Sequence, residues 1–186
     1  MKKKHSRPDR PPRTTKDLTD LLPHLCYEVK MLLATDLLLL REGVAPRNRN
    51  DFAEWAIHNA LLESHTIHAR ALYAFLFQGP AKDGDATAAD YAFDWPRKRP
   101  KPAAVLVTVS PRVGREIAHL TYGRLAYKTD GDRQWDFTDI TRGLVVALNA
   151  WLVDAPEYVR RSLMQYVKDY AAQAELLDAT RKGAEH

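Results

Sequence analysis

The chain has 186 residues, 45% of them hydrophobic, with 28 basic and 24 acidic side chains and one cysteine. That length fits one domain with a real core. No apolar run is long enough to span a bilayer, so no membrane association is expected.

Cys26 stands alone, which excludes an internal disulfide and argues against a thiolate zinc site. It reads as a small buried hydrophobe in a reducing, cytoplasmic compartment. The charged N-terminus is not followed by an apolar stretch, so no signal peptide is expected. Residues 1–13 hold six basic side chains against Asp9, leaving 22 basic and 23 acidic residues in the rest. The basic excess thus sits in a proline-rich leader, and residues 1–16 are expected to be a disordered basic tail. Such a tail mainly solubilises, and it can also act as a weak electrostatic arm for nucleic acid.

Residues 17–183 read as a single helical-bundle domain. Helix one is expected from Thr19 to Glu42, with Pro23 in its first turn and Gly43 as its stop. Its inward stripe is Leu25, Val29, Leu32, Leu33, Leu37 and Leu40. The greasiest stretch, Met31 to Leu40, is interrupted by Asp36 and reads as a core helix. Helix two is expected from Phe52 to Gln78, between the capping pattern Asp51-Phe-Ala-Glu54 and Gly79-Pro80. It is apolar on nearly every side, which predicts a central position.

Residues 80–102 break the pattern: a turn, a short helix within Thr87 to Asp94, then an extended basic loop over Pro96 to Pro102. Ala103 to Val109 reads as a greasy connector, because no partner strand is in sight. Ser110-Pro111 is a good helix start, predicting a helix to about Lys128. Asp136 caps the next helix, Phe137 to Val153. Asp154-Ala-Pro-Glu157 caps the last, which runs to about Arg181 with Tyr158, Leu163, Tyr166, Val167 and Tyr170 facing inward. The expected fold is all-α, a bundle of about five long helices plus one short one.

Two polar blocks lie inside apolar helices: Glu63-Ser-His-Thr-Ile-His68-Ala-Arg70 and Arg115-Glu-Ile-Ala-His119-Leu-Thr-Tyr-Gly-Arg124. An ionised side chain in a core costs several kcal/mol, on the order of the buried-charge penalty, unless it is paired. Glu63 and Arg70 are two helical turns apart and share a face, so they are expected in one buried network that locks the bundle or clamps a ligand. His58, His65 and His68 fall on the other side as partly exposed or hydrogen-bonded histidines. His65 and His68 have the spacing of a ligand pair, but neither ends a Glu-x-x-His motif, so no metal or other cofactor is expected. Arg112, Arg115, Glu116 and His119 share one helix face. Arginines beside His119 keep it a neutral base and can hold a phosphate, a combination suited to RNA cleavage.

These blocks resemble a group of uncharacterised bacterial helical proteins. The likeness rests on Glu63-Ser64…Ile67-His68-Ala69-Arg70, then Asp85…Ala89-Asp90-Tyr91…Trp95, then Ile117-Ala118-His119-Leu120-Thr121-Tyr122…Arg124, over residues 20–150. It implies no transferable activity. A looser resemblance is to HEPN domains, many of which are ribonucleases whose arginine and histidine are separated by four to six residues and meet across a dimer. Arg112-x6-His119 fits the long end of that spacing. The resemblance implies His119 and Arg112 as catalytic groups, RNA as substrate and a homodimer as the assembly; Arg115-x3-His119 is too short for the pattern, and Arg115 stays a catalytic candidate as a phosphate-holding guanidinium on the same helix face. Val113 after Arg112, and two long helices after the motif, depart from the HEPN pattern.

Three readings follow: a HEPN-like RNA-processing or defence-associated domain, a non-catalytic interaction or dimerisation module with a buried Glu63–Arg70–His lock, and a bundle that binds a metal or small ligand in its core. His68 and Arg124 join Glu63 and Arg70 as candidate network or ligand-binding residues.

Overall fold

A computed structural model describes residues 13–42, 51–79, 84–114, 117 and 135–184. Among them every element is helical, so the chain is an all-α bundle. The helices are α1 (Thr15–Glu42), α2 (Phe52–Phe77), α3 (Ala88–Tyr91), α4 (Trp95–Lys98), α5 (Ala104–Val113), α6 (Phe137–Asp154) and α7 (Glu157–Ala184).

α1 starts inside the stretch assigned to the tail, and the reason is a local cap. The Thr14 hydroxyl and backbone N–H both donate to the Asp17 carboxylate, and Asp17 N–H donates back to Thr14 Oγ1 at 3.1 Å. Residues 1–12, and the rest of the disorder expectation, lie outside the described residues. Asp51 caps α2 by accepting from Ala53 and Glu54 N–H, and Asp136 caps α6 by accepting from Asp139 N–H. Each satisfies donors that a helix start leaves bare.

α1 lies along α2 and α7; α2 also packs on α5 and α6, and α6 on both α5 and α7. The α1 stripe continues through Asp36 and Leu39, while Leu37 and Leu40 are only half-buried. Between α2 and α5, an aromatic clamp ties the chain to the bundle. Phe75, Tyr91 and Trp151 meet edge-on, at ring separations of 5.2 to 6.1 Å. The Trp151 indole donates to Ala88 O at 3.1 Å, Trp95 to Leu76 O at 2.6 Å, and the Tyr91 hydroxyl to Leu18 O at 2.9 Å. Asp90 closes a capping box with Thr87. Burial pushes the Tyr91 phenol up to about 12. Asp90, Tyr91 and Trp95 thus brace this segment against the bundle.

Two sequence expectations fail here. The connector over Ala103 to Val109 is the first half of α5, and Ser110-Pro111 lies within that helix, not at its start. Leu106, Val109 and Val113 are all buried at helical spacing, and burial of that stripe outweighs the β-branched residues' weak dislike of helix. Gly143 of α6 lets α5 approach closely: a Cβ there would come within 3.0 Å of the Leu106 side chain. The expected basic loop likewise begins with a helical turn, because the anchored Trp95 starts α4 with Pro96 in a first-turn position. The expected run of the Ser110 helix to Lys128 falls beyond the described part of α5.

Candidate functional site

A chain of buried polar groups joins four helices. Asp36 (α1), His65 (α2) and Thr141 (α6) are wholly shielded from solvent, and Tyr170 (α7) is half-buried. Each reaches the same point because its helix turns its inner stripe there. Asp36 follows Val29 and Leu32 on α1, and Thr141 lies between the buried Ile140 and Leu144 on α6.

The Tyr170 hydroxyl donates to Asp36 Oδ2 at 2.7 Å, and the Thr141 hydroxyl to Asp36 Oδ1 at 3.0 Å. Thr141 Oγ1 lies 2.8 Å from His65 Nε2. A hydroxyl has one proton, and Thr141 gives it to the carboxylate; His65 must then donate its own Nε2–H to Thr141. That assignment leaves Nδ1 as a bare lone pair, and it is the one buried side-chain polar atom without a partner among the described residues. Phe137 closes edge-on against the imidazole at 5.2 Å.

Burial dominates the electrostatics. It raises the Asp36 carboxyl above its usual range, against the two hydroxyl donors and the Arg142 guanidinium, which favour the ionised form. It depresses His65 to about 3, with a smaller push from His68. Asp36 Oδ1 lies 3.8 Å from His65 Nε2, close enough for an ion pair if the ring were protonated. Desolvation of the ring outweighs that attraction, so the imidazole is neutral. Burial also raises the Tyr170 phenol, and the adjacent Asp36 carboxylate adds to the effect.

A second polar contact joins α1 and α2. His68 Nδ1 meets Glu28 Oε2 at 2.7 Å, with Tyr27 edge-on to the ring at 5.5 Å. Two grooves open on the surface among the described residues. One, of about 390 Å³, runs between α1, α6 and α7 over Leu40, Arg142 and Tyr170. The other, of about 420 Å³, lies between the approach to α5 and α6, over Pro100, Val105 and Gly143.

The sequence candidates divide sharply. Glu63 and Arg70 are exposed, which corrects the expectation of a buried pair. They fall on the side of α2 turned away from α1, α5 and α6. His58, His65 and His68, expected partly exposed or hydrogen-bonded, are all buried, and His68 pairs with Glu28 instead of Glu63 or Arg70. Among the described residues no group of three or more His, Cys, Asp or Glu is placed to hold a metal ion. Arg112 holds its guanidinium 4.0 Å from the centre of the Trp135 ring. Arg115, His119 and Arg124 lie outside the described residues.

No family model, curated protein or solved structure matches the chain. None of the described helices is long and apolar enough to cross a membrane.

The same geometry shows what α2 leaves uncovered. α2 packs on α1, α5 and α6 as expected of a central helix, yet Phe52, Trp55, Ile57 and Ile67 are exposed. Phe52 and Trp55 stack on each other at 6.0 Å. Beyond this first stretch, one side of α2 is core and the opposite side is open. Ala53, Ile57, Ala60, Glu63, Ile67 and Arg70 all point outward.

Proposed function

We propose that this chain is a non-catalytic interaction module, a helical bundle that offers the open side of α2 to a protein partner. The observation that carries the reading is the exposure of Ile57 and Ile67, at 63% and 49%, on a helix whose other side is core. Isolated exposed hydrophobes are ordinary, but an apolar stripe along one helix marks a docking surface. The Asp36–Thr141–His65–Tyr170 chain supports it from below. Its members come from α1, α6, α2 and α7, so it holds α2 at a fixed angle and register in the bundle. In this reading the buried polar groups are a lock and take no part in chemistry. The lock differs in its members from the Glu63–Arg70–His lock expected from sequence.

The competing reading is HEPN-like RNA cleavage by His119 with Arg112 and Arg115. The two readings forecast different results. A photo-crosslinking amino acid at Ala53, on the edge of the stripe, should give a discrete protein adduct in cells, while the same group at the exposed Lys168 of α7 should not. Total RNA should survive incubation with the purified protein. Absence of an Ala53 adduct, or RNA cleavage that His119→Ala abolishes, would overturn the module reading.

A further inference from the structure

On the open side of α2 six residues recur at alternate spacings of three and four: Ile57, Ala60, Ser64, Ile67, Ala71 and Ala74. This is the spacing of a seam between two helices. Ile57, Ala60 and Ile67 are exposed, while Ser64, Ala71 and Ala74 are half-buried. Along one flank of the seam, Glu63 and Arg70 stand two turns apart. Both are exposed, and neither makes an ion pair within its own chain among the described residues.

We infer that this face binds a second copy of the chain, with the two α2 helices antiparallel about a two-fold axis; the inference rests on the interaction-module reading. An antiparallel seam pairs the first position of one heptad with the fourth of the other. Applied here, Ile67 of one copy faces Ser64 of the second, Ile57 faces Ala74, and Ala60 faces Ala71. Each isoleucine meets a small side chain, and on either side of the central Ile67–Ser64 pairs Ala60 meets Ala71, so the helix axes can approach closely. The same register sets Glu63 of one copy opposite Arg70 of the second, and the symmetry makes that pair twice. A parallel pairing would set like against like and leave both charges unmatched. The charge pattern on one helix is therefore self-complementary, as an isologous interface requires.

The seam from Ile57 to Ala74 is about 26 Å long at the helical rise of 1.5 Å per residue.

Sedimentation velocity over a roughly hundredfold range of concentration tests this, because dimerisation follows mass action. The wild-type chain should shift from monomer to dimer. Glu63→Arg and Arg70→Glu should each weaken association about tenfold, since two attractive pairs become repulsive. The double change Glu63→Arg/Arg70→Glu should restore it. Ile67→Lys should abolish dimerisation without altering the melting temperature of the dilute monomer. A monomer at every concentration, or a double swap no better than its single changes, overturns the antiparallel pairing. If the wild type stays monomeric while Ala53 crosslinks to a different protein, self-association fails and the module reading stands. If Ala53 gives no adduct at all, both fail.

Discussion

Tyr170 and Asp36 lie 134 residues apart in the chain, yet the phenol donates to the carboxylate at 2.7 Å and ties the last helix to the first. Hydrogen bonds to a charged acceptor contribute more than neutral ones, about 1.5–3 kcal/mol. Tyr170→Phe keeps the ring's packing and removes only the donor. It should lower stability by about 2 kcal/mol in urea titration, with an unchanged slope.

Thr141 stands at the centre of the lock, accepting from His65 and donating to Asp36. Thr141→Val is close in shape, strands the His65 Nε2–H and removes one of the two hydroxyl donors to Asp36. The expected loss is about 2–4 kcal/mol, from one stranded ring N–H and one weakened carboxylate. Because the residues share one network, Thr141→Val and Asp36→Asn should be non-additive. A double-mutant cycle should return a coupling of at least about 0.5 kcal/mol. Simple additivity would show that Thr141 and Asp36 act separately.

His65 makes stability depend on pH. Its folded pKa is depressed from 6.5 to about 3, so the unfolded chain binds the extra proton between those values. Its contribution is therefore complete above pH 6.5 and is lost progressively as the pH falls toward 3. From neutrality to pH 5 the loss from this one group is about 2 kcal/mol at most. Asp36 acts in the opposite sense. Its folded pKa is raised, so acidification through its titration favours the folded state. Thermal melts at pH 7 and pH 5 check this: wild type should lose more than His65→Asn, measured against each variant's own value at pH 7. Equal losses would show that His65 titrates normally.

Arg70 offers the reverse test. Read from sequence alone, Arg70→Ala should cost about 3 kcal/mol by stranding a buried carboxylate. The arginine is in fact exposed, and the expected change in monomer stability is within about 0.5 kcal/mol. Denaturant titration at low protein concentration separates the two outcomes.

The helices were legible where local chemistry marks their ends. Asp51 and Asp136 cap α2 and α6 as their positions before apolar runs suggest. α5 was hidden because Val105, Val107 and Val109 carry no helical preference of their own. The packing of Leu106 against α6 at Gly143 makes it a helix, and that contact is tertiary. In the lock, Asp36 left a trace, a carboxylate seven residues after Val29 and four after Leu32 in the inward stripe of α1. Thr141 left none, since a threonine in a helix shows nothing about what its hydroxyl meets. Glu63 and Arg70 misled because α2 has apolar residues on all sides. Without a clear inner face, two charges in phase look like a core pair, whereas here they mark the open side.

The most direct measurement of the antiparallel α2 pairing is disulfide trapping in a Cys26→Ser background. Mixing a Ser64→Cys chain with an Ile67→Cys chain under mild oxidation places the two thiols face to face in the inferred register. The account predicts a covalent dimer that forms faster in the mixture than in either variant alone. It also predicts that prior Glu63→Arg slows it and Glu63→Arg/Arg70→Glu restores it. No covalent dimer in the mixture, or a rate indifferent to those charges, would contradict the pairing.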